Sequence, residues 1–442
     1  MRPRPTGIVE PTAGPVVGQA GTQQAASIES LRAVGAIGVL VCHVYLMWWY
    51  AAGAEGGGPL HLFLVTIGSG YALLLVLSGY LLFRPFARRL LRGEPSDLRR
   101  YARNRALRVL PLYYVAVPLL LLTTAPPLGW ELWVVLLTMT GNFVPGSYRG
   151  VNSPLLVLLV EVQFYVLLPV LVALLRRRPS MRFAASVVGV LSLASVAARL
   201  VILELGDLAD PERFVRASVL TMFHLFGAGM LLALLALRLE DPARRPSGWV
   251  GSAWVWLLGS VAVWLVMLVT QIELLSGVAS ALLLGAVALP LRPSPLVAAL
   301  SWRPLALVGL TTFSLYMWHL PIAEVVAASG WAPRGTAGFL VVCLALVAVV
   351  SLVSYALIEA PALSLRRPWA SRGPDDDVQA ASTRTVLVRV ALGATVIGLV
   401  LAGLAAHRAD APAVPLDPQT ASPPAPRHPV GTAVARFPSG RS

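Results

Sequence analysis

The sequence has no lysine, only two cysteines and few charged residues of either sign. Charged residues make up 13% of the chain, whereas a soluble globular protein carries roughly 25%. Hydrophobic residues reach 57% and the mean hydropathy is +0.74. These values exclude the soluble protein of about two or three domains that 442 residues would otherwise suggest. Because Cys42 and Cys343 both lie within apolar runs, we expect neither a disulfide framework nor a metal site.

The basic residues are all arginines, and they give the chain a formal net charge of +14. They are clustered between apolar runs, most densely from Arg84 to Arg108. Such clusters are typical of the cytoplasmic loops of membrane proteins, where basic residues set the orientation of the chain. We therefore expect contact with anionic membrane lipid and no nucleic-acid partner.

Apolar runs of about 20 residues recur along the chain, and each can cross a hydrocarbon core of roughly 30 Å. In lipid such runs must be helical, because every backbone polar group needs an internal partner. The sequence predicts an all-α, polytopic transmembrane helix bundle with about eleven spans. The predicted spans are approximately residues 28–50, 62–83, 109–124, 154–175, 183–203, 214–237, 249–270, 272–290, 304–326, 339–358 and 386–405.

The arrangement of charge and apolar runs also predicts the domain organisation. Residues 1–26 are expected to be a disordered cytoplasmic arm, 369–385 a cytoplasmic linker, and 406–442 a disordered extracytoplasmic tail. Residues 130–143 are apolar but too short to cross, which favours a re-entrant or interfacial segment. We expect no cleavable signal peptide and a location in the cell (plasma or inner) membrane, with the N-terminus inside and the C-terminus outside.

Ionisable groups inside the spans are the best candidates for function, since an isolated charge at the bilayer centre costs at least ~2.5–3.5 kcal/mol. A rise of about 1.5 Å per residue places His43, Glu161 and His319 at a similar level in the outer half of the membrane. Histidine is neutral near pH 7 and can act as a base, and a nearby carboxylate can orient the ring. Arg199 and His224 are interpreted as contacts between helices.

Arginines mark the opposite, cytoplasmic end of the predicted bundle. Arg32 opens the first span, and Arg105 and Arg108 lie three residues apart on one helix face. Guanidinium groups suit bidentate binding of phosphate. We predict that a polyphosphorylated donor docks on these three residues from the cytosol.

Five motifs in the same order resemble those of the membrane-bound acyltransferase family 3. They are Arg32 with His43 in Cys42-His43; Arg105-Ala106-Leu107-Arg108; Glu161-Val162-Gln163-Phe164-Tyr165; Ser314-Leu315-Tyr316-Met317-Trp318-His319; and Glu359-Ala360-Pro361. The resemblance covers about residues 27–368, which we expect to form a ten-helix acyltransferase domain, followed by one extra span at 386–405.

The resemblance implies an O-acyltransferase that moves an acyl group, often acetyl, from acyl-CoA to a hydroxyl. It implies no bound cofactor, with acetyl-CoA as co-substrate, and a carbohydrate or lipid-linked acceptor. The usual acceptors are cell-envelope glycans, exported carbohydrates and hydrophobic natural products. His43 and Glu161 are the expected catalytic residues. The expected substrate contacts are Tyr165, Ser314, Tyr316 and His319.

Structural alternatives stay open for each of these residues. His43 and Glu161 can serve as hydrogen-bonding groups between helices, Arg105 and Arg108 as cytoplasmic anchors, and His319 as a packing residue. A transporter or flippase of a glycan, lipid or drug would also carry polar groups within its spans, although the sequence shows no paired halves with broken helices. A membrane scaffold would not need ionisable groups at one level.

Overall fold

The computed structural model describes residues 16–54, 57–123, 129–144, 155–204, 218–246, 248–289, 295–329, 331–366 and 376–405. These residues form helices and connecting turns, and no strand occurs among them. The predicted all-α transmembrane bundle is thereby confirmed. Residues 1–15 of the expected N-terminal arm and the whole expected C-terminal tail, residues 406–442, lie outside the described residues.

The first half of the described chain contains eight helices. They are α1 (Val16–Ala51), α2 (Pro59–Thr66), α3 (Gly70–Leu91), α4 (Leu98–Thr123), α5 (Trp130–Leu137), α6 (Leu155–Leu175), α7 (Met181–Glu204) and α8 (Val219–Arg238). A 3₁₀ turn at Ile67–Ser69 connects α2 to α3, so that both belong to one apolar stretch.

The second half contains another eight. They are α9 (Ala253–Thr270), α10 (Leu275–Ala288), α11 (Pro295–Leu300), α12 (Arg303–Leu310), α13 (Thr312–Ala327), α14 (Thr336–Ser354), α15 (Ala360–Ser364) and α16 (Asp376–Ala405). A π-helical turn at Tyr355–Glu359 joins α14 to α15. Single π turns in helices frequently mark functional sites.

Eight of the described helical stretches are long and apolar enough to cross a membrane, and a ninth candidate is the bent pair α12–α13. Two shorter apolar helices, Leu275–Ala288 and Thr385–Leu399, coincide with the remaining predicted spans. The structure therefore supports a multi-pass bundle without confirming the count of eleven. The segment at residues 130–143 contains the eight-residue helix α5 and a 3₁₀ turn at Gly141–Phe143, in agreement with a segment that does not cross.

Three predicted boundaries are corrected by the structure. Helix α1 begins at Val16, so part of the expected disordered arm is helical, as its alanines and glutamines favour. Helix α16 begins at Asp376, within the expected linker. The expected straight span at residues 304–326 is instead broken, because α12 and α13 meet at an angle of 70° around Thr311.

Two hydrophobic clusters fill the bundle, and the side chains of α1 and α6 contribute to both. The first cluster is centred on α3 and α8 and includes Tyr80, Phe164 and Phe226. The second is centred on α4, α13 and α14 and includes Tyr113 and Trp318. Of the residues discussed below, His43 lies on α1 and Glu161 on α6, the two helices that the clusters share.

Glycines allow the helices of the first cluster to approach backbone to backbone. A Cβ atom added to Gly229 of α8 would lie 2.0 Å from the carbonyl oxygen of Val76 in α3. One added to Gly79 would lie 2.1 Å from the carbonyl oxygen of Phe226. Small residues at such crossings are the usual means of close helix packing in membranes. The approach fixes α3, which carries Ser78, against its neighbours.

Candidate active site

His43 of α1 and His319 of α13 form a direct pair between two helices. The Nδ1 atom of His43 lies 2.9 Å from Nε2 of His319, and the planes of the two rings differ by 8°. The pair confirms that the two histidines lie at one level of the bundle. His319 is fully buried, whereas His43 retains some accessible surface. Of the two residues, His43 is therefore the more accessible.

The hydrogen bonds around the pair determine which nitrogens carry protons. The Nδ1 atom of His319 lies 2.8 Å from the backbone carbonyl oxygen of Tyr316. A carbonyl can only accept, so Nδ1 of His319 is the donor and its Nε2, in the neutral ring, is an acceptor. His43 must then donate from Nδ1. Its Nε2 carries the free lone pair, an assignment inferred from the hydrogen-bond network.

Glu161 of α6 lies near this pair without being the group that orients it. Its carboxylate accepts a hydrogen bond of 2.6 Å from the hydroxyl of Ser78. It is also an electrostatic neighbour of Tyr165 and Tyr316. The hypothesis that Glu161 orients the His43 ring is corrected, because His319 makes that contact. The catalytic role of Glu161 itself stays a prediction.

Arg108 of α4 is held by a buried carboxylate that the π-helical turn supplies. Its guanidinium lies 3.2 Å from Glu359, whose side chain is only 2% exposed. The other oxygen of Glu359 accepts a short hydrogen bond from Ser314, at the start of α13. Ser314 and His319 are both on α13, five positions and about 7.5 Å apart along the helix. This chain of contacts connects Arg108 to the helix that carries the second histidine.

A second chain of contacts starts at Arg105. Its guanidinium carbon lies 5.7 Å from the centre of the Tyr165 ring, within the range of a cation–π interaction. Tyr165 lies four residues from Glu161, on the same face of α6. Glu161 in turn neighbours Tyr316, whose ring is tilted against His319 with centroids 5.6 Å apart. Both chains of contacts therefore converge near the histidine pair.

Arg32 also lies at the arginine end of the bundle, on α1. It forms an ion pair of 2.8 Å with Glu29 one turn earlier and remains partly exposed. Arg32 and His43 are eleven positions apart on α1, which corresponds to about 16 Å along the helix. A donor that binds Arg32 and reacts at His43 would have to span that distance.

Arg199 and His224 belong to a separate cluster between other helices. Arg199 pairs with Glu273, which also accepts a hydrogen bond from Tyr71. The Nδ1 atom of His224 lies 3.2 Å from the hydroxyl oxygen of Ser195. These contacts join α3, α7, α8 and the turn before α10, in agreement with a structural role.

Residues 25–358 match the acyltransferase 3 family, described as an acyltransferase domain. The matched segment covers well over half of the chain. The protein belongs to the membrane-bound acyltransferase family 3. Neither the curated proteins nor the solved structures contain a match to the chain. Membership in this acyltransferase family favours an enzyme over the transporter and over the scaffold.

Within this family member, sequence reasoning missed three features of the site. It assigned no role to Glu359, although a carboxylate beside an arginine-rich end needs a partner. It gave no site role to Ser78, whose hydroxyl donates a hydrogen bond to Glu161. It gave no site role to Arg366 either. Ser314, expected to contact substrate, is bound to Glu359 and to the hydroxyl of Ser354.

Proposed function

We propose that the protein is an O-acyltransferase that moves an acetyl group from cytosolic acetyl-CoA to a hydroxyl of a carbohydrate or lipid-linked acceptor. Candidate acceptors are a cell-envelope glycan, an exported carbohydrate or a hydrophobic natural product. The observation that carries the proposal is the His43–His319 pair, whose hydrogen bonds indicate that Nε2 of the partly exposed His43 is the unprotonated nitrogen. A hydroxyl is a poor nucleophile and needs such a base close to neutral pH.

The proposed reaction uses His43 first as a base and then as an acid. Nε2 of His43 takes the proton of the acceptor hydroxyl as its oxygen attacks the thioester carbonyl. A carbon–oxygen bond forms, and the carbon–sulfur bond of the thioester breaks. The departing thiolate of CoA takes the proton back from His43, so the ring ends as it began. The bond to His319 holds the His43 ring in the required tautomer and supports its transient positive charge.

A second route through the same residue stays open. Nε2 of His43 can attack the thioester carbonyl itself; the carbon–sulfur bond breaks, CoA leaves as its thiolate, and His43 carries the acyl group before the acceptor arrives. The acyl-imidazole then transfers its acyl group to the hydroxyl, whose proton must pass to another group. Glu161 is a candidate for that role, because its charge acts on Tyr316, whose ring lies against His319. Both routes require Nε2 of His43 to be unprotonated at the start of the reaction.

The arginine end of the bundle supports a phosphorylated donor. Arg32, Arg105 and Arg108 lie at this end, and Arg32 is about 16 Å along α1 from His43. Acetyl-CoA carries its phosphates at one end of an extended pantetheine arm and its thioester at the other. The arm can span that separation, with the phosphates at the arginines and the thioester at His43. We propose that this end faces the cytosol, following the positive-inside rule.

The experiment that tests this function follows the acetyl group. Membranes that contain the protein are given acetyl-CoA labelled in the acetyl group, and label is measured in the envelope glycan and lipid fractions. The proposal predicts label in one of these fractions together with stoichiometric release of CoA. A protein that moves solute without consuming the thioester is a transporter, and that result contradicts the proposal.

A further inference from the structure

Arg366 follows α15 and belongs to the same group of charges as Arg32, Arg105 and Arg108. Each of those three arginines acts on it electrostatically. Two of the four have carboxylate partners, Arg32 with Glu29 and Arg108 with Glu359. Four guanidinium groups against two carboxylates leave two positive charges without a countercharge among these residues. We call these four arginines the arginine cluster.

Two of the three side-chain nitrogens of Arg366 are buried, although the residue as a whole is only half-buried. Its Nε and one terminal nitrogen are inaccessible and have no hydrogen-bond partner within the described parts of the chain. The Nε of Arg105 is also inaccessible and has no hydrogen-bond partner within the described residues. A buried donor without a partner costs about 1–3 kcal/mol, and more when it is charged. Two such groups in one cluster indicate a site shaped for an anion.

The electrostatics of Arg366 agree with this geometry. Burial, followed by the repulsion of Arg105 and Arg108, lowers the pKa of Arg366 to about 10. The guanidinium therefore stays charged at neutral pH while surrounded by like charges. An anion that carries several negative charges would relieve this repulsion, and a guanidinium fork matches two phosphate oxygens at once.

We propose that Arg366 completes, together with Arg105 and Arg108, a binding site for the phosphate groups of the acyl donor. This inference rests on the proposed function, because it assigns a further residue to the donor. The same chemistry could in principle serve the phosphate of a membrane lipid. Because the Nε of Arg366 is enclosed, whereas lipid headgroups meet the surface, we favour the soluble donor.

Binding of CoA to the full-length protein in phosphatidylcholine nanodiscs tests the inference without any acceptor. Arg366→Gln removes both the positive charge and the planar guanidinium group with its paired N–H donors. Arg366→Lys keeps the charge but not the guanidinium group. We expect the Kd for CoA to rise about tenfold or more in Arg366→Gln, as the loss of one charge-assisted pair implies. Arg366→Lys should give an intermediate Kd. The matched control is Arg177→Gln, an exposed arginine that should leave the Kd unchanged.

The outcomes separate the possible sources of failure. If the wild-type protein binds CoA and Arg366→Gln binds it equally well, the inference is overturned while the proposed donor survives. If the wild-type protein binds no CoA, the proposed donor is wrong and the inference falls with it. Repeating the titrations with phosphatidylglycerol in the nanodiscs identifies a lipid site. An effect of Arg366→Gln that appears only with this anionic lipid contradicts the assignment to CoA. Equal melting temperatures of the variants without ligand exclude misfolding as the cause of weaker binding.

Discussion

Nδ1 of His43 donates a hydrogen bond to Nε2 of His319 across 2.9 Å, and His319 is itself fixed by the carbonyl of Tyr316. The arrangement has the logic of a catalytic base whose second nitrogen is held by an orienting group. Here the orienting group is a neutral imidazole instead of a carboxylate. A neutral partner leaves the buried site without a permanent charge, which suits a position inside a membrane.

His319 should act as a positioning residue. Replacing it with alanine removes the acceptor that fixes the tautomer of His43, and we expect kcat to fall by about 10²-fold or more. KM for acetyl-CoA should change little, because His319 is not one of the residues proposed to bind the donor. His319→Gln retains an acceptor oxygen and should restore part of kcat. Steady-state kinetics of the two variants give the answer, and an unchanged kcat in His319→Ala would exclude the orienting role.

Glu161 should matter more than the hydroxyl that binds it. We expect Glu161→Gln to lower kcat by about 10²-fold if its charge takes part in proton transfer. Ser78→Ala removes only the hydrogen bond to that carboxylate and should lower kcat severalfold at most. Parallel assays of acetyl transfer compare the two variants. Similar small effects in both would assign Glu161 to helix packing alone.

The ion pair between Arg108 and Glu359 should behave as a single unit. Because Glu359 is almost fully buried, Glu359→Gln leaves a buried arginine unpaired and should destabilise the protein by about 3 kcal/mol or more. Combining it with Arg108→Gln should cost less than the sum of the two single changes. A double-mutant cycle on thermal unfolding measures this coupling. Additive effects would show that the pair contributes no specific interaction.

The crossing of α3 and α8 should tolerate no side chain at Gly229. A methyl group there would lie 2.0 Å from the carbonyl oxygen of Val76, so Gly229→Ala should force the helices apart at a cost of about 1–3 kcal/mol. Gly189→Ala is the matched control, since no atom lies within 4 Å of the position of its Cβ. The control should be neutral or slightly stabilising. Melting temperatures in one detergent compare them, and equal values would refute the close approach.

Much of the fold was predictable because the membrane limits the alternatives. Long apolar runs such as residues 154–175 can only be helices in lipid, and the structure has α6 at Leu155–Leu175. The break at Thr311 was not predictable in the same way. The sequence stays apolar on both sides of Thr311. The bend depends on how α12 packs against α1, where Gly309 contacts the backbone carbonyl of Glu29. Composition does not report such a contact.

The sequence identified individual residues of the site, but it did not identify which of them contact one another. Depth along the helices brought His43 and His319 to one level, yet it could not decide whether Glu161 or His319 touches the His43 ring. That choice depends on the rotation of α6 and α13 about their axes. Glu359 and Arg366 were missed for a related reason, since their roles arise from contacts between helices far apart in sequence.

The most direct test of the account is acetyl transfer by the purified protein in nanodiscs after the change His43→Gln. Glutamine keeps a donor for His319 but has no basic nitrogen, so we expect the rate of transfer from labelled acetyl-CoA to fall by at least about 10²-fold while CoA still binds. The parallel change His61→Gln, at a histidine that bonds Tyr45 instead, should leave the rate close to that of the wild type. A His43→Gln protein that binds CoA and transfers acetyl at the wild-type rate would contradict the account.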